Sequence, residues 1–99
     1  MGEDEQAYRA LYHAHQLNPK EENTSTLLLK EALLLATKAR ARKEFEQSMV
    51  YLNCALHLRP DDAGVHQMMS DLYRSMGRRR EADAELEIAR RLLKANPTH

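Results

Sequence analysis

The chain has 99 residues, enough for one small domain, and its 15 basic and 15 acidic side chains balance to a formal net charge of zero. This balance argues against a dedicated nucleic-acid-binding protein, and no apolar run approaches the roughly 18 residues of a membrane span. The single cysteine, Cys54, cannot form a disulfide within the chain, so we expect a reducing compartment, the cytoplasm. The acidic start of the chain predicts no secretory signal.

Residues that interrupt helices divide the chain into five predicted helices. The first is expected from about Asp4 to Leu17, because Asn18 and Pro19 then prevent the helix from continuing. A run of Asn, Ser and Thr over residues 23–26 offers N-caps for the second helix. We expect that second helix to extend to about residue 42.

The other three helices are predicted over residues 44–58, 63–76 and 80–95. Pro60 separates the third helix from the fourth, and Gly77 is the natural C-terminal residue of the fourth. No segment shows the alternation of a strand. The sequence therefore predicts an all-α protein.

Three of these helices carry one pattern, in which a small residue is followed by Leu, Ala and Leu at spacings of four, three and three. The copies are Ala7, Leu11, Ala14 and Leu17; Ser48, Leu52, Ala55 and Leu58; and Ala82, Leu86, Ala89 and Leu92. Such spacings place the four residues on one side of a helix, where small side chains let a second helix approach closely.

The distances between the copies indicate a repeat of helix pairs. The offset in residue number from Ser48 to Ala82 is called the short step, and the offset from Ala7 to Ser48 is called the long step. The short step matches the period of about 34 residues that is typical of one such repeat. The long step exceeds it by about two helical turns.

The chain resembles the tetratricopeptide repeat (TPR) family, whose unit is a pair of helices of about 34 residues in total. The most similar copy covers residues 63–96, a second covers residues 24–60, and residues 4–17 look like the second half of one more unit. In the copy over residues 63–96, the residues that match the family pattern are Met69, Ser70, Tyr73, Gly77, Ala82, Leu86 and Ala89. His66 replaces the family's Trp, and seven additional residues precede Leu29. The resemblance implies a single domain over residues 1–99, a short right-handed solenoid of about two and a half repeats.

By this resemblance, the first helix of each pair lines a concave groove that holds a peptide or a helix of another protein. The residues carried over to the groove are Lys30, Leu33, Leu34, Thr37 and Arg40 of the second helix with Gln67, Met68, Asp71 and Arg74 of the fourth. Two interpretations stay open at this point. The groove is free for a partner, or its leucine and methionine side chains cover one another.

A second hypothesis is a structural unit that assembles into a homodimer through its terminal helices. The small-Leu-Ala-Leu residues of the first helix are expected to face the second helix. Tyr8, Tyr12 and His15 then occupy sides on which a missing half-repeat would pack. The last helix also carries exposed leucines, although the end units of solenoids normally present polar outer faces.

No group of residues in the sequence has the pattern of a catalytic site. Cys54 and His57 share a helix face, but two metal ligands alone are a weak signal, and there is no glycine-rich phosphate loop. We expect no enzyme, no cofactor and no metal. The sequence predicts a non-enzymatic interaction module of the adaptor, scaffold or chaperone type, whose partner is a protein or peptide and neither nucleic acid nor a membrane.

Overall fold

The computed structural model describes residues 2–95, which form five α-helices and no strand. The helices are α1 (Glu3–Leu17), α2 (Glu22–Ala41), α3 (Phe45–Leu58), α4 (Ala63–Ser75) and α5 (Arg79–Ala95). Each helix packs on the next one along the chain, and the smallest dimension of the molecule, 20 Å, corresponds to two layers of helices. The all-α helical repeat predicted from the sequence is confirmed. Asn96, the end of the last predicted unit, lies outside the described residues.

The turns inside the two complete helix pairs have the same geometry and are related by the short step. Lys43 and Gly77 hold the left-handed backbone conformation, with φ of 63° and 76°, which glycine adopts more easily than lysine. The N–H of Glu44 donates to the carbonyl of Ala39 at 2.8 Å, and the N–H of Arg78 makes the equivalent bond at 2.8 Å. α2–α3 and α4–α5 are therefore two copies of one unit.

The close crossing inside each pair is held by one buried serine hydroxyl. Ser48 of α3 donates to the carbonyl of Ala36 in α2 at 2.7 Å. Ser70 of α4 donates to the carbonyl of Ala82 in α5 at 2.8 Å. The two contacts are equivalent, because Ala36 and Ser48 correspond to Ser70 and Ala82 by the short step. The serine nevertheless lies on the second helix of the first pair and on the first helix of the second pair. The small residues of the sequence pattern thus mark these crossings.

The greater length of the long step arises inside α2, which has 20 residues where α4 has 13. The loops that precede these two helices are equivalent. The N–H of Asn18 donates to Ala14 at 3.1 Å, and the N–H of Arg59 donates to Ala55 at 2.9 Å. The loops before α2 and α4 are separated by the long step, whereas the turns after these two helices are separated by the short step. The additional residues therefore lie within α2 and lengthen only that helix.

The core lies where α2, α3 and α4 meet. α2 alone contributes six buried residues, as expected for a helix with neighbours on several sides. The largest side chains that are almost completely buried are those of Leu28, Leu52, Leu72 and Val65. Within residues 2–95, no helix is both long enough and apolar enough to cross a membrane.

The packing expected for α1 is found only in part, because Ala7 and Leu11 are half-buried but the other two residues of the pattern are not. Ala14 is exposed and Leu17 is 75% exposed, whereas Tyr8 packs against the core. His15 Nδ1 lies 3.3 Å from Ser25 Oγ, so the side of α1 that faces α2 carries Tyr8 and His15. In α3 and α5 the small-Leu-Ala-Leu pattern faces the first helix of the same pair, and the described residues contain no such helix before α1.

The start of α2 also differs from the prediction. Its N-cap is Glu21, ahead of the Asn, Ser and Thr run, and the carboxylate of Glu21 accepts from the N–H of Thr24 at 3.0 Å. A negative charge at this place stabilises the positive end of the helix dipole. Asp62 caps α4 in the same way, since its carboxylate accepts from Gly64 and Val65.

Candidate functional site

A groove runs between α1 and α3 on the face of the molecule that carries the second helix of each pair. We call it the α1–α3 groove; its volume is about 710 Å³. Its two walls are equivalent repeat positions, related by the long step. Arg9, Tyr12, His13 and Gln16 line the α1 side, while Val50, Asn53, Cys54 and His57 line the α3 side, with Tyr8, His15, Pro19, Leu28 and Leu58 completing the lining.

Aromatic rings form much of the α1 wall. The Tyr8 ring meets the Tyr51 ring edge to face at a centroid distance of 4.9 Å, and the Tyr12 ring lies 5.9 Å from the Tyr8 ring. Tyr12 is 41% exposed and Val50, on the opposite wall, is 53% exposed. The groove therefore offers an apolar surface from both sides to a bound segment.

The lining of the α1–α3 groove also carries basic side chains. Its lining contains Arg9 and three imidazoles, those of His13, His15 and His57, and this set of lining residues includes no carboxylate. The groove is thus suited to a segment that combines an apolar anchor with acidic residues.

Cys54 and Tyr8 are both half-buried in the wall of the groove. Burial raises the pKa of the Cys54 thiol, although the neighbouring hydroxyl of Tyr8 acts in the opposite direction. Burial, followed by the neighbouring thiol of Cys54, raises the pKa of Tyr8. A protonated thiol is a weak nucleophile, so the groove is better suited to packing than to covalent chemistry. In the part of the chain that the structure describes, no three of His, Cys, Asp and Glu come together as a metal site.

The groove predicted from the resemblance lies between α2 and α4, and four of its residues line one small cavity. Thr37, Arg40, Met68 and Asp71 line a common depression, but its volume is only about 30 Å³. Local bonds occupy several of its polar groups: Arg40 Nη1 donates to Ser75 Oγ at 3.5 Å, Thr37 Oγ1 donates to the carbonyl of Leu33 at 3.0 Å, and Arg74 Nη1 lies 3.7 Å from Asp71 Oδ1.

The apolar residues of this α2–α4 face do not form one continuous exposed patch. Leu33 and Met68 pack against the core, whereas Leu34 is 42% exposed. Leu34 lies one turn before Lys38, which pairs with Asp4 of α1, and so faces the α1 side of α2. Lys30 and Gln67 are exposed.

All three residues predicted for self-association line the α1–α3 groove. Tyr8 is half-buried in its wall, Tyr12 is exposed, and His15 contacts Ser25. The α3 wall was missed in the sequence, although Val50, Asn53, Cys54 and His57 have the spacing i, i+3, i+4 and i+7 of one helix face. This helical spacing, on the side of α3 opposite the small-residue pattern, was the signal that could have identified the α3 wall.

The fold defines a short all-α helical repeat protein with a groove between α1 and α3. The chain is similar to Protein O-mannosyl-transferase TMTC3 of mouse and human. Identity is 37% to the mouse protein and 33% to the human protein, each over 51 residues, or 52% of this chain. The matched segment spans 6% of the length of these relatives. No family model matches, and no solved structure does.

Proposed function

We propose that the protein is a non-enzymatic interaction module that binds a peptide or a helix of another protein in the α1–α3 groove. The observation that carries this proposal is the groove itself, with its volume of about 710 Å³ and exposed apolar side chains on both walls. This volume lies in the range of ligand sites, about 300 to 1,000 Å³. The α2–α4 face implied by the family resemblance is the competing surface.

The similarity to TMTC3 supports helical repeats in this chain and extends to nothing more of that protein. TMTC3 is named as a transferase, but the match covers 6% of its length. The proposal of a non-enzymatic role, of the adaptor or chaperone type, instead rests on the α1–α3 groove, in which burial raises the pKa of the Cys54 thiol. A cytoplasmic location belongs to the same proposal, because a reducing compartment keeps such a thiol free.

The groove indicates the chemistry of its occupant. Tyr12 and Val50 would contact an aliphatic or aromatic anchor, and Arg9 would meet acidic residues beside that anchor. A helix that presents side chains at i and i+3 or i+4 would place an anchor and an acidic residue on the same face.

The experiment is selection of binding peptides from a random library displayed on phage, with the full chain immobilised. We expect selected peptides with apolar anchors and acidic residues, and we expect Val50→Glu to weaken their binding at least tenfold. Leu34→Asp is the matched control, since it places a carboxylate at a comparably exposed position of α2. Circular dichroism verifies that both variants remain folded.

The opposite result would refute the choice of groove. If Leu34→Asp abolished binding and Val50→Glu did not, the α2 surface would be the binding site. A library that yielded no binder would count against the interaction module as a whole.

A second candidate function is self-assembly into a homodimer. The observation that favours it is exposed apolar surface on both terminal helices, at Tyr12 and Leu17 of α1 and at Leu93 of α5. Light scattering over a range of concentrations tests it. A monomer at every concentration would exclude this candidate.

A further inference from the structure

The α1–α3 groove continues into a second cavity, whose volume is about 400 Å³. The residues that line both cavities are His15, Pro19, His57 and Leu58. The residues that only the second cavity contains are Lys20, Glu22, Ser25 and Arg59. We call this second cavity the loop pocket, because the loop from α1 to α2 and the loop from α3 to α4 each supply part of its lining. Both loops belong to the chain itself, at the place where one repeat meets the next.

The loop pocket adds positive charge to the end of the groove. Lys20 and Arg59 are opposed in its lining by one carboxylate, that of Glu22. Together with Arg9 of the groove, the two linings hold three cations and one carboxylate even when every imidazole is counted as neutral. The formal net charge of the whole chain is zero, so positive charge is concentrated along this path.

The two cations of the loop pocket are available to a bound segment. Within residues 2–95, neither Lys20 nor Arg59 forms an ion pair. Arg59 uses Nη1 to donate to the carbonyl of Leu58 at 3.1 Å, and a guanidinium has further N–H donors. Glu21 and Asp62, which are near these cations in the chain, are engaged as the N-caps of α2 and α4.

Another cavity of almost the same size as the groove has the opposite balance of charge. Its volume is about 690 Å³, and the charged residues of its lining are Lys43, Glu44 and Glu46, beside the turn from α2 to α3. An acidic segment is repelled by that lining and attracted by the groove and the loop pocket. Charge therefore distinguishes two cavities that volume does not.

The dimensions of the groove favour an extended segment. Its volume of about 710 Å³, spread over the part of α1 from Arg9 to Leu17, about 12 Å long, corresponds to a mean cross-section of about 60 Å². A helix with its side chains is at least about 10 Å wide, with a cross-section of about 80 Å². An extended chain is narrower, since strands in a sheet lie only about 4.8 Å apart.

We propose that the groove and the loop pocket together bind one extended acidic segment of a partner protein. Its apolar anchor lies between Tyr12 and Val50, and its Asp or Glu side chains lie in the loop pocket beside Lys20 and Arg59. This proposal rests on the proposed function and specifies the occupant. α1 ends at Leu17, about 8 Å beyond Tyr12, and an extended chain advances about 3.3 Å per residue. The carboxylates are therefore about three residues from the anchor.

The test uses the peptides selected on the immobilised full chain, synthesised with acetylated N-termini and amidated C-termini. The double variant Lys20→Gln, Arg59→Gln neutralises the loop pocket, and we expect it to bind these peptides at least tenfold more weakly than the original chain. The matched control is Arg42→Gln, Lys43→Gln, which removes two exposed cations after α2 and should change the affinity less than twofold. Circular dichroism verifies that both double variants are folded.

Changes in the peptide test the same contact from the other side. Replacing its acidic residues by Gln or Asn should weaken binding to the original chain at least tenfold and make the original chain and the Lys20→Gln, Arg59→Gln variant equal. In ¹⁵N-labelled protein, the amide shifts of Lys20 and Arg59 should then disappear while that of Val50 persists. Moving the acidic residues from three to seven positions from the anchor should also weaken binding at least tenfold.

Three results would overturn the proposal. The Lys20→Gln, Arg59→Gln variant binds as tightly as the original chain; the seven-residue spacing binds as tightly as the three-residue spacing, as a helical occupant would; or a free C-terminal carboxylate restores full affinity to the neutral peptide, so that the pocket recognises a chain end. Each of these leaves the proposed function intact if Val50→Glu still weakens binding. An affinity that Val50→Glu does not change is instead a failure of the groove itself.

Discussion

The imidazole of His66 is a buried group whose two nitrogen atoms both face acceptors. Nδ1 lies 2.7 Å from Glu85 Oε1, and Nε2 lies 2.9 Å from the carbonyl oxygen of Pro60. Both nitrogens must carry protons to donate to these acceptors, so the geometry favours the imidazolium. Burial, the largest influence, lowers the pKa of His66. The hydrogen bonds to Glu85 and Pro60 and the charges of Glu85 and Asp62 together outweigh burial and raise it.

A raised pKa makes the protonated ring a source of stability at low pH. This contribution is complete below the pKa of His66 in the unfolded chain and is lost as the pH rises through the higher pKa of the folded state. We expect the free energy of unfolding to fall as the pH rises above about 6.5, the ordinary pKa of an imidazole. We expect His66→Gln to cost about 1.5 to 3 kcal/mol at pH 6, the range for hydrogen bonds to charged groups. Urea unfolding at several pH values measures both effects.

His57→Gln is the matched control, because His57 is an exposed imidazole on α3. Its pH profile should follow that of the original chain. Glu85→Gln should flatten the profile, since it removes the charge that His66 faces. An unchanged profile in Glu85→Gln would show that this pair does not control the pH dependence.

At the scale of secondary-structure elements, each helix pair depends on one tight crossing. Ala36 and Ser48 meet in the first pair, and Ser70 and Ala82 meet in the second, with a side-chain-to-backbone hydrogen bond in each. Only a small residue lets the backbones approach this closely, and a larger side chain would force the helices apart.

The substitution Ala82→Leu tests this crossing. Ala82 is 1% exposed, so the additional atoms have no space, and we expect a loss of about 1 to 3 kcal/mol in the free energy of unfolding. Ala84→Leu, two residues later on the exposed side of α5, should leave stability nearly unchanged. Urea unfolding of both variants checks the difference, and equal stabilities would mean that the crossing tolerates bulk.

At the scale of the whole molecule, stability is distributed unevenly along the stack. Helices of a repeat array contact chiefly their neighbours, so the helix at an end has fewer contacts than one in the middle. α1 has no fully buried residue, whereas α2 has six and α4 has five. The α1 end is therefore the weaker part of the fold.

Native-state hydrogen exchange should reveal this gradient. We expect the amides of α1 to exchange by a local opening, with a lower free energy than those of α2 and α4. The amides of Leu35 and Leu72, in the core, should exchange only on global unfolding. If α1 exchanged together with the core, the chain would unfold as one cooperative unit and the gradient would be refuted.

Much of the fold could be predicted because its determinants are local. Pro19, Pro60 and Gly77 locate the ends of helices through backbone sterics alone, and the small-residue pattern located the crossings of α3 and α5. The same pattern held only in part in α1, because a face is buried only when a partner is present and sequence periodicity does not report the partner. The α1–α3 groove was missed for a related reason, since Tyr12 and Val50 lie far apart in the chain.

The additional length of α2 relative to α4 shows how this architecture can vary. Seven residues turn a helix through about 700°, only about 20° short of two full revolutions, and lengthen it by about 10 Å. A lengthening by this amount preserves the direction of every face beyond it, whereas five residues would rotate those faces by about 140°. In helices of this kind, insertions close to a whole number of turns, such as about seven or eleven residues, change the reach of the helix and keep its orientation.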